Sequence, residues 1–399
     1  MAPANLYPRP DAVFGPLLGL RLDFHQPVIR YPAARLRLGV LSSNSRGSAM
    51  DHDASALHIS LLPNEIIDEI FQHHLPDYPT CPPLFGRDSP ANLTRICGHW
   101  RAIAHANPRL WRGIRLELKS TFGFSRVEKL LQIAEIWLER SRPLNISVVL
   151  RCDNGCGEEQ LRSLTLLIEH SSRWQFVDFV LPNSHPLFRR AWNPTMRLPP
   201  LVELRVISYS GDVDRELSAA NIVAPRLRVF HALLVDDKLS FLLRVLREAP
   251  GLTNLWLQLW VHGGDEPIQP LALPGLKTLI IDSSQETIVG WRMLCESLVL
   301  PALRRFCIRE SLIQVQQVPP GPRVHLRRPK SMARMLKEWT AMPSLRRLLV
   351  ILPVNERSRE VTTQAYRDAF PDVEISFTVL GLRATWEPDA EDAEWWAQQ

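Results

Sequence analysis

A short apolar phrase led by proline recurs along the second half of this chain, and it constrains the fold more than any other feature of the sequence. The fullest copies read Pro-x-Leu-x-x-Leu-x-Val or a close variant. They begin at Pro199, Pro225, Pro250, Pro274, Pro301 and Pro343. The intervals between them are 26, 25, 24, 27 and 42 residues. Self-similarity at such a period indicates that one small structural unit is stacked on copies of itself.

Each copy predicts one short strand, and the residues between two copies predict a return segment. Counting a degenerate early copy, the apolar positions are Trp174, Val177 and Phe179; Leu201, Leu204 and Val206; Leu227, Phe230 and Ala232; Leu252, Leu255 and Leu257; Leu276, Leu279 and Ile281; Leu303, Phe306 and Ile308; and Leu345, Leu348 and Val350. The long last interval contains Val318-Pro-Pro-Gly-Pro-Arg, which predicts an insertion loop there.

Helical spacing of large apolar residues occurs between the copies. The two clearest sets are Leu239, Leu242, Leu243 and Leu246 before Pro250, and Ile288, Trp291, Leu294 and Leu298 before Pro301. Ser283 and Glu286 have the spacing of a capping box, which places the start of the second helix. Strands that alternate with helices predict an α/β fold with a parallel sheet.

One unit cannot cover its own apolar side, so we expect the units to stack into an open solenoid. The first four intervals fall in the range of a leucine-rich repeat. The copies lack the asparagine that regular leucine-rich repeats place after the strand, so the chain resembles the irregular kind. An ordinary α/β domain with a doubly wound sheet is the alternative.

The residues from Leu62 to Trp111 form a second distinctive segment. A Leu-Pro opening precedes apolar residues at helical spacing, Ser89-Pro90 signals the start of a second helix, and Asn107-Pro108 signals a third. This order of signals resembles an F-box, the module by which substrate receptors of cullin-type ubiquitin ligases bind a Skp adaptor. A proline-rich insertion around Tyr78 departs from the compact pattern, and it resembles insertions in F-box proteins of mushroom-forming fungi.

Three short helices cannot bury all of their large apolar side chains against one another. We therefore expect some of Ile66, Ile70, Leu93, Trp100 and Trp111 to face a partner protein. The resemblance implies an adaptor-binding set of Leu62, Pro63, Ile66, Ile67, Ile70, Phe71, Leu93, Ile96, Trp100, Ile103, Leu110 and Trp111. A small helical cap on the rest of the chain is the alternative.

The resemblance implies a non-catalytic substrate receptor of a cullin-type (SCF) ubiquitin ligase. A Skp adaptor, and through it a cullin, would hold the F-box, while the repeats would bind a protein substrate for ubiquitin-dependent degradation. Partner proteins would carry out ubiquitin transfer. A non-degradative repeat scaffold and a nucleic-acid-binding adaptor are the alternatives.

The side chains that alternate with the buried strand positions are expected to face the substrate. They are Arg205, His231, Trp256, Gln258, Trp260 and Arg309. Trp256 and Trp260 are the expected anchors, because exposed tryptophan often marks a recognition site. The same two residues would equally fill a gap between repeats.

No sequence motif predicts catalysis. A glycine-rich phosphate loop, a zincin helix, a nucleophile elbow and a kinase signature are all absent from the sequence, so we expect no enzymatic activity and no cofactor. Cys152 and Cys156 have the spacing of half a metal site, but no second pair stands at a matching distance. We expect two free thiols in a turn and no metal.

Composition suggests four regions in the 399 residues. Residues 1–57 are arginine-rich, acid-poor and interrupted by prolines, which predicts disorder, with a mitochondrial transit segment as the alternative. The F-box is expected over 58–118, the repeats over 119–383 and an acidic flexible tail over 384–399. Six scattered cysteines favour a reducing compartment, cytoplasmic or nuclear, and no apolar run is long enough to span a membrane.

A basic stretch lies within residues 321–337. It contains Arg323, Arg327, Arg328, Lys330, Arg334 and Lys337. A solvated loop is the expected role, and a nuclear signal, a docking site for an acidic partner or a nucleic-acid contact is the alternative. The formal net charge of +5 over the whole chain does not by itself imply nucleic-acid binding.

Overall fold

A ten-stranded parallel sheet forms the centre of the structure. The structure is a computed structural model. It describes residues 62–153, 157–181, 195–208, 221–234, 240–259, 270–281, 294, 297–309, 342–352 and 359–378. The predictions made for the first 57 residues, the basic stretch and the acidic tail lie outside these residues.

The strands follow the chain in order across the sheet. Their bounds are β1 Gly113–Leu118, β2 Ile146–Cys152, β3 Trp174–Leu181, β4 Thr195–Arg197, β5 Glu203–Ser208, β6 Asn221–Val223, β7 Val229–Leu234, β8 Asn254–Leu259, β9 Leu271–Ala272, β10 Thr278–Ile281, β11 Leu298–Val299, β12 Arg305–Arg309, β13 Arg347–Ile351 and β14 Glu374–Thr378. The large sheet has the order β1-β2-β3-β5-β7-β8-β10-β12-β13-β14, while β4 pairs with β6 and β9 with β11. The predicted α/β class and parallel sheet are confirmed. A doubly wound sheet contains a point where the strand order reverses, and the sheet of the described residues contains none.

The buried apolar side chains of the described helices belong to the same hydrophobic cluster as a buried row of strand residues. Their bounds are α1 Asn64–His74, α2 Gly98–Ala106, α3 Phe124–Arg140, α4 Gly157–Ile168, α5 Ser240–Arg247 and α6 Arg359–Ala369. Short 3-10 helices occur at Pro90–Arg95, Pro108–Trp111 and Ser171–Arg173. α5 lies where helical spacing predicts it, and Leu242, Leu243 and Leu246 are buried. Leu298, predicted in a helix, lies in β11 instead.

The apolar phrase places equivalent residues side by side across seven strands. One row runs through Val177, Leu204, Phe230, Leu255, Leu279, Phe306 and Leu348. All seven side chains are buried in one hydrophobic cluster. Because fully burying a leucine or phenylalanine side chain contributes about 1.5 to 3 kcal/mol, this row is a main source of stability for the sheet.

A proline-led turn precedes each of the six later strands of the phrase. The N–H of the leucine two residues after the proline donates to the carbonyl of the residue before the proline. The donors are Leu201, Leu227, Leu252, Leu276, Leu303 and Leu345, at 3.1 to 3.3 Å. Proline suits this turn because its ring already fixes the φ angle that the second turn position requires.

Backbone groups continue the hydrogen-bond ladder directly after each turn. The N–H of Arg228 donates to the carbonyl of Val202 at 2.8 Å, and the N–H of Thr253 donates to the carbonyl of Arg228 at 2.9 Å. The same pattern joins Lys277 to Thr253 and Arg304 to Lys277. Main-chain pairing therefore satisfies these groups without the asparagine of regular repeats.

The segment before the sheet differs from the prediction in its second helix. Residues Pro90–Arg95 form a 3-10 helix that Ser89 caps, because the Ser89 Oγ accepts the N–H of Ala91 at 3.2 Å. Cys97 then adopts an extended conformation, and α2 begins at Gly98. One predicted helix is thus two short ones, which turn Leu93 and Trp100 inward and leave Ile96 outside.

The amino-terminal helices share the hydrophobic core of the sheet. Trp111 meets Trp137 of α3 edge to face, with ring centroids 5.3 Å apart. The Trp111 Nε1 donates to the Ala104 carbonyl at 2.8 Å. The buried cluster continues from Ile67 and Phe71 through these two tryptophans into the strands. The expected boundary at Leu118 falls at the end of β1, the first strand of the sheet.

Within the described part of the chain, no helix is both long enough and apolar enough to cross a membrane.

Candidate functional site

Helix α1 carries apolar residues on two adjacent faces. Ile67 and Phe71, one turn apart, are fully buried. Ile66 and Ile70 are also one turn apart, but Ile66 is 48% exposed and Ile70 is only partly buried. Residues four apart lie on one side of a helix, so the Ile67 face packs inward. Ile70 still packs against the edge of the core, while Ile66 is half-exposed.

The two longer amino-terminal helices are held together by aromatic packing. Phe71 of α1 and Trp100 of α2 meet edge to face, with ring centroids 5.0 Å apart. The side-chain amide of Asn107 donates to the carboxylate of Asp68 in α1. Asn107 also caps the third helix, because its Oδ1 accepts the N–H of Arg109 at 2.9 Å. These contacts fix the direction in which the outer face of α1 points.

The predicted adaptor-binding residues divide into two groups by exposure. The buried group contains Ile67, Phe71, Leu93, Trp100, Leu110 and Trp111. The exposed or partly buried group contains Leu62, Pro63, Ile66, Ile70, Ile96 and Ile103. We call this second group the helical surface. Ile96 is its most exposed isoleucine, at 56%. Of the predicted adaptor-binding residues, only those of the helical surface can contact a partner while the helices keep the fold described here.

The proline-rich insertion packs against the sheet. The Tyr78 hydroxyl donates to the Gln175 side chain at 3.1 Å, and the Tyr78 ring lies edge to face with Phe176. The Ser147 Oγ of β2 donates to the Pro79 carbonyl at 2.7 Å, and the Cys81 thiol lies 3.2 Å from the same Oγ. The insertion therefore attaches the amino-terminal helices to β2 and β3.

The opposite face of the sheet carries three of the predicted substrate residues in one row. Arg205 lies opposite His231, and His231 lies opposite Trp256, on the adjacent strands β5, β7 and β8. Gln258 follows two residues after Trp256 on the same strand. Arg309 ends β12, and the structure does not describe its side chain. Trp260 lies outside the described residues.

An aspartate between two arginines extends this row. Asp178 of β3 lies opposite Arg205, and its carboxylate is 2.9 Å from the Arg151 guanidinium and 3.7 Å from that of Arg205. Arg151 and Asp178 are not among the residues predicted from the sequence, because β2 carries no proline-led phrase and β3 only a degenerate one. The strand alternation in Trp174-Gln-Phe-Val-Asp178 is the signal that indicates the position of the aspartate.

His231 and Trp256 stack face to face. Their ring centroids are 4.2 Å apart and the ring planes differ by 3°. Burial, with a smaller contribution from the Arg205 charge, lowers the pKa of His231 to about 3. The imidazole is therefore neutral at physiological pH, and the charges beside it are those of Asp178, the two arginines and, above its raised pKa of about 7, Glu203 of β5.

The described residues contain no group of three or more His, Cys, Asp or Glu side chains that could hold a metal ion. Cys152 is buried at the end of β2, and Cys156 lies outside the described residues. The candidate functional sites among the described residues are the helical surface and the polar row formed by Arg151, Asp178, Arg205, His231 and Trp256.

A scan against protein-family models and a search of the curated proteins both return no match for this chain.

Proposed function

We propose that this chain is a substrate receptor of a cullin-type ubiquitin ligase, with an F-box in the amino-terminal helices and a leucine-rich-repeat-like solenoid in the sheet. The helical surface would bind a Skp adaptor, and the polar face of the sheet would bind a protein substrate. Ubiquitin transfer would be carried out by partner proteins. This proposal combines the sequence resemblance with the arrangement of the described residues.

The exposure of Ile66 and Ile96 is the observation that carries the proposal. Both are large apolar residues with core residues near them in the chain; Ile66 lies on α1, and Ile96 lies in the turn between the 3-10 helix Pro90–Arg95 and α2. Burying an isoleucine fully contributes about 1.5 to 3 kcal/mol, so these two half-exposed side chains alone would supply about 2 kcal/mol. The partly buried Leu62, Ile70 and Ile103 would have to add to the contact for stable binding.

The buried members of the predicted adaptor set have another role. Trp100 packs against Phe71, and Trp111 packs against Trp137. Truncation of either tryptophan would destabilise the fold, so a loss of adaptor binding in such a variant would not report on the binding surface itself. The exposed isoleucines are therefore the residues whose replacement reports on adaptor binding.

A receptor must hold its substrate at a fixed position relative to the adaptor, because this raises the effective concentration of substrate near the transferring enzyme. Two sets of contacts support such a connection here. Trp111 and Trp137 join the third helix to α3, and Tyr78, Pro79 and Cys81 join the insertion to the sheet. A flexible linker between helices and sheet would lack these contacts.

The repeat architecture proposed for the sheet is supported by its strand order and its turns. Ten parallel strands follow one another in chain order, and six of them follow the same proline-led turn. Stacking of equivalent units is the simplest arrangement that repeats a turn and a strand in this way.

Co-expression of the full chain with a Skp adaptor tests the proposal. The full chain is required because residues 62–111 share a core with α3 and β1, so the isolated segment would expose Trp111. We expect the two proteins to elute together from a size-exclusion column. If the adaptor elutes alone while the chain is folded, the proposal is wrong.

A non-degradative scaffold would also bind the adaptor, so a second measurement separates the two roles. Cullin should co-purify with the receptor, and its bound proteins should accumulate when the gene is removed. Adaptor binding without either result would favour the scaffold. Salt-sensitive retention on nucleic acid, lost when the arginines of residues 321–337 are replaced, would favour the nucleic-acid alternative.

A further inference from the structure

The turns that precede five adjacent strands of the sheet carry a series of positive charges. These strands are β7, β8, β10, β12 and β13, and each turn with its first strand residue covers 224–229, 249–254, 273–278, 300–305 and 342–347. The five segments contain seven arginine or lysine residues and no acid. Six of the seven side chains are exposed. We call these six the cationic edge: Arg226, Arg228, Lys277, Arg304, Arg346 and Arg347.

Backbone hydrogen bonds place the cations of this edge at equivalent positions. The N–H of Lys277 donates to the Thr253 carbonyl at 2.8 Å, and the N–H of Arg304 donates to the Lys277 carbonyl at 2.9 Å. The N–H of Arg346 donates to the Arg304 carbonyl at 2.9 Å. Because adjacent strands lie about 4.8 Å apart, the edge from β7 to β13 is about 19 Å long. The charges therefore form a line along one end of the strands.

The turn before β8 has no cation of its own, and Arg228 from the turn before β7 reaches across to it. The Nη1 of Arg228 donates to the Gly251 carbonyl at 2.9 Å. A Cβ atom at Gly251 would lie 3.1 Å from the same nitrogen, so the glycine leaves room for the guanidinium. The line of positive charge is therefore continuous from β7 to β13.

Like charges face one another along this edge. Arg305 lies directly opposite Arg347 in the register of β12 and β13, and Arg304 and Arg346 are joined by the ladder bond that precedes this pair. Like charges directly opposite on adjacent strands are destabilising. Glu374 of β14 lies 3.0 Å from the Arg347 guanidinium and offsets part of this repulsion. A bound anion would offset more of it, which is the physical reason to expect a ligand here.

The acids near the cationic edge are fewer than its cations. Within the described residues, the turns and strands from β5 to β14 contain four acids, namely Glu203, Glu248, Asp372 and Glu374. Glu203 begins β5, one strand before the edge, while Asp372 and Glu374 lie at β14, one strand after it. Glu248 follows Arg247 directly in the chain. A surplus of positive charge therefore remains when the adjacent strands are included.

We propose that the cationic edge binds an acidic segment of a protein, which lies extended across the turns from β7 to β13. Arginine suits this role because its planar guanidinium can bind a carboxylate through two parallel hydrogen bonds. Four carboxylates on alternate residues of an extended segment span about 20 Å, which matches the edge of about 19 Å. This inference rests on the proposed function only for the source of the segment, which is the substrate of the receptor.

A nucleic acid would present phosphates to the same cations. Proteins that bind single strands combine cations with aromatic side chains on which the bases stack. The five segments that form the edge contain no aromatic residue. An acidic protein segment therefore fits the edge better, and nucleic-acid binding is an outcome that the experiment distinguishes.

Fluorescence anisotropy with three labelled probes tests the inference on the full chain. The probes are (Glu-Ala)4, (Gln-Ala)4 and an oligonucleotide of five thymidines, which carries four phosphates. Low ionic strength is used, because salt screens exposed charges. We expect (Glu-Ala)4 to bind at least about tenfold more tightly than (Gln-Ala)4, since each exposed ion pair changes the Kd by about twofold to fivefold.

Two triple variants of equal charge locate the site. The edge variant combines Arg226→Gln, Lys277→Gln and Arg346→Gln, and it should weaken (Glu-Ala)4 binding at least about tenfold. The control combines Arg323→Gln, Arg327→Gln and Arg328→Gln in the basic stretch, and it should change the Kd by less than about twofold. Both lower the net charge of the chain equally. Thermal melting confirms that each variant is folded.

Equal binding of the glutamate and glutamine peptides would overturn the inference, as would equal losses in the two triple variants. If the edge variant loses more affinity for the oligonucleotide than for (Glu-Ala)4, the edge is a nucleic-acid site and the inference is wrong.

Adaptor binding measured on the same preparation separates this result from the proposed function. Adaptor binding without glutamate preference overturns the inference alone. Glutamate preference that depends on the cationic edge, without adaptor binding, supports the acidic-segment site and contradicts the receptor role.

Discussion

Ile66 and Ile67 are neighbours in α1 that lie in opposite environments, with Ile66 48% exposed and Ile67 fully buried. The pair gives a direct test of how α1 packs. Ile67→Ala should lower the free energy of unfolding by about 2 to 5 kcal/mol, because it leaves a cavity in the core. Ile66→Ala removes a side chain that is only half-buried, so it should lower the free energy of unfolding by no more than about 1.5 kcal/mol. Urea denaturation measures both, and equal losses would show that the orientation of α1 is different.

Trp111 should stabilise the junction between the helices and the sheet through its indole N–H. Trp111→Phe removes the donor to the Ala104 carbonyl, so we expect a loss of about 1 to 3 kcal/mol. Trp174→Phe is a matched control, since Trp174 is equally buried but its Nε1 has no hydrogen-bond partner. Thermal unfolding should therefore show the larger loss at Trp111, and a larger loss at Trp174 would contradict this role.

Ser147 should hold the proline-rich insertion on the sheet. Ser147→Ala removes the donor to the Pro79 carbonyl, which should cost about 1 to 3 kcal/mol and speed hydrogen exchange at Thr80 and Cys81. Ser163→Ala is the control, because the Ser163 hydroxyl donates to a carbonyl of its own helix, that of Glu159, at 2.7 Å. Faster exchange of the insertion in both variants would point to a general loss of stability.

Glu203 should make the stability of the sheet depend on pH. Burial, and secondly the Asp178 charge, raise the pKa of Glu203 from 4.5 to about 7, while Arg205 acts in the opposite direction. A carboxyl with a raised folded pKa contributes stability that is complete below pH 4.5 and is lost as the pH rises through about 7. Glu203→Gln should therefore raise the melting temperature relative to the parent at pH 8 and change it little at pH 4.5.

The control for this pH dependence is Glu374→Gln, which removes the same charge from a side chain that is 67% exposed. This control variant should not show an increase in melting temperature, relative to the parent, that appears only at high pH. A Glu203→Gln variant whose melting temperature differs from the parent equally at both pH values would contradict the raised pKa.

The strand positions were accessible from the sequence because the repeating phrase is local. Proline fixes the turn, and the leucine two residues after it, such as Leu227 or Leu252, is buried in the first five of the six proline-led repeats. The alternation within each strand then placed Arg205, His231 and Trp256 on one face, and the register of the sheet aligns them. Their role in binding substrate stays a prediction.

Contacts between distant residues were not accessible in the same way. The pairing of Asp178 with Arg151 and Arg205 depends on sheet register, which no local pattern specifies. The extended conformation of Cys97, which divides the second helix, also has no strong local signal. Helical periodicity identified the apolar residues of α1, but it did not show that packing would bury Ile67 and leave Ile66 exposed.

Titration calorimetry of the full chain with a Skp adaptor tests the central claim most directly. The variants are Ile66→Asp and Ile96→Asp on the helical surface, with Ile136→Asp of α3 as a control of similar exposure, at 46%. We predict that each helical-surface variant raises the Kd at least about tenfold, because it places a charge in an apolar contact, while the control binds like the parent. Failure of the folded parent chain to bind the adaptor, or equal Kd values for all four proteins, would contradict the account.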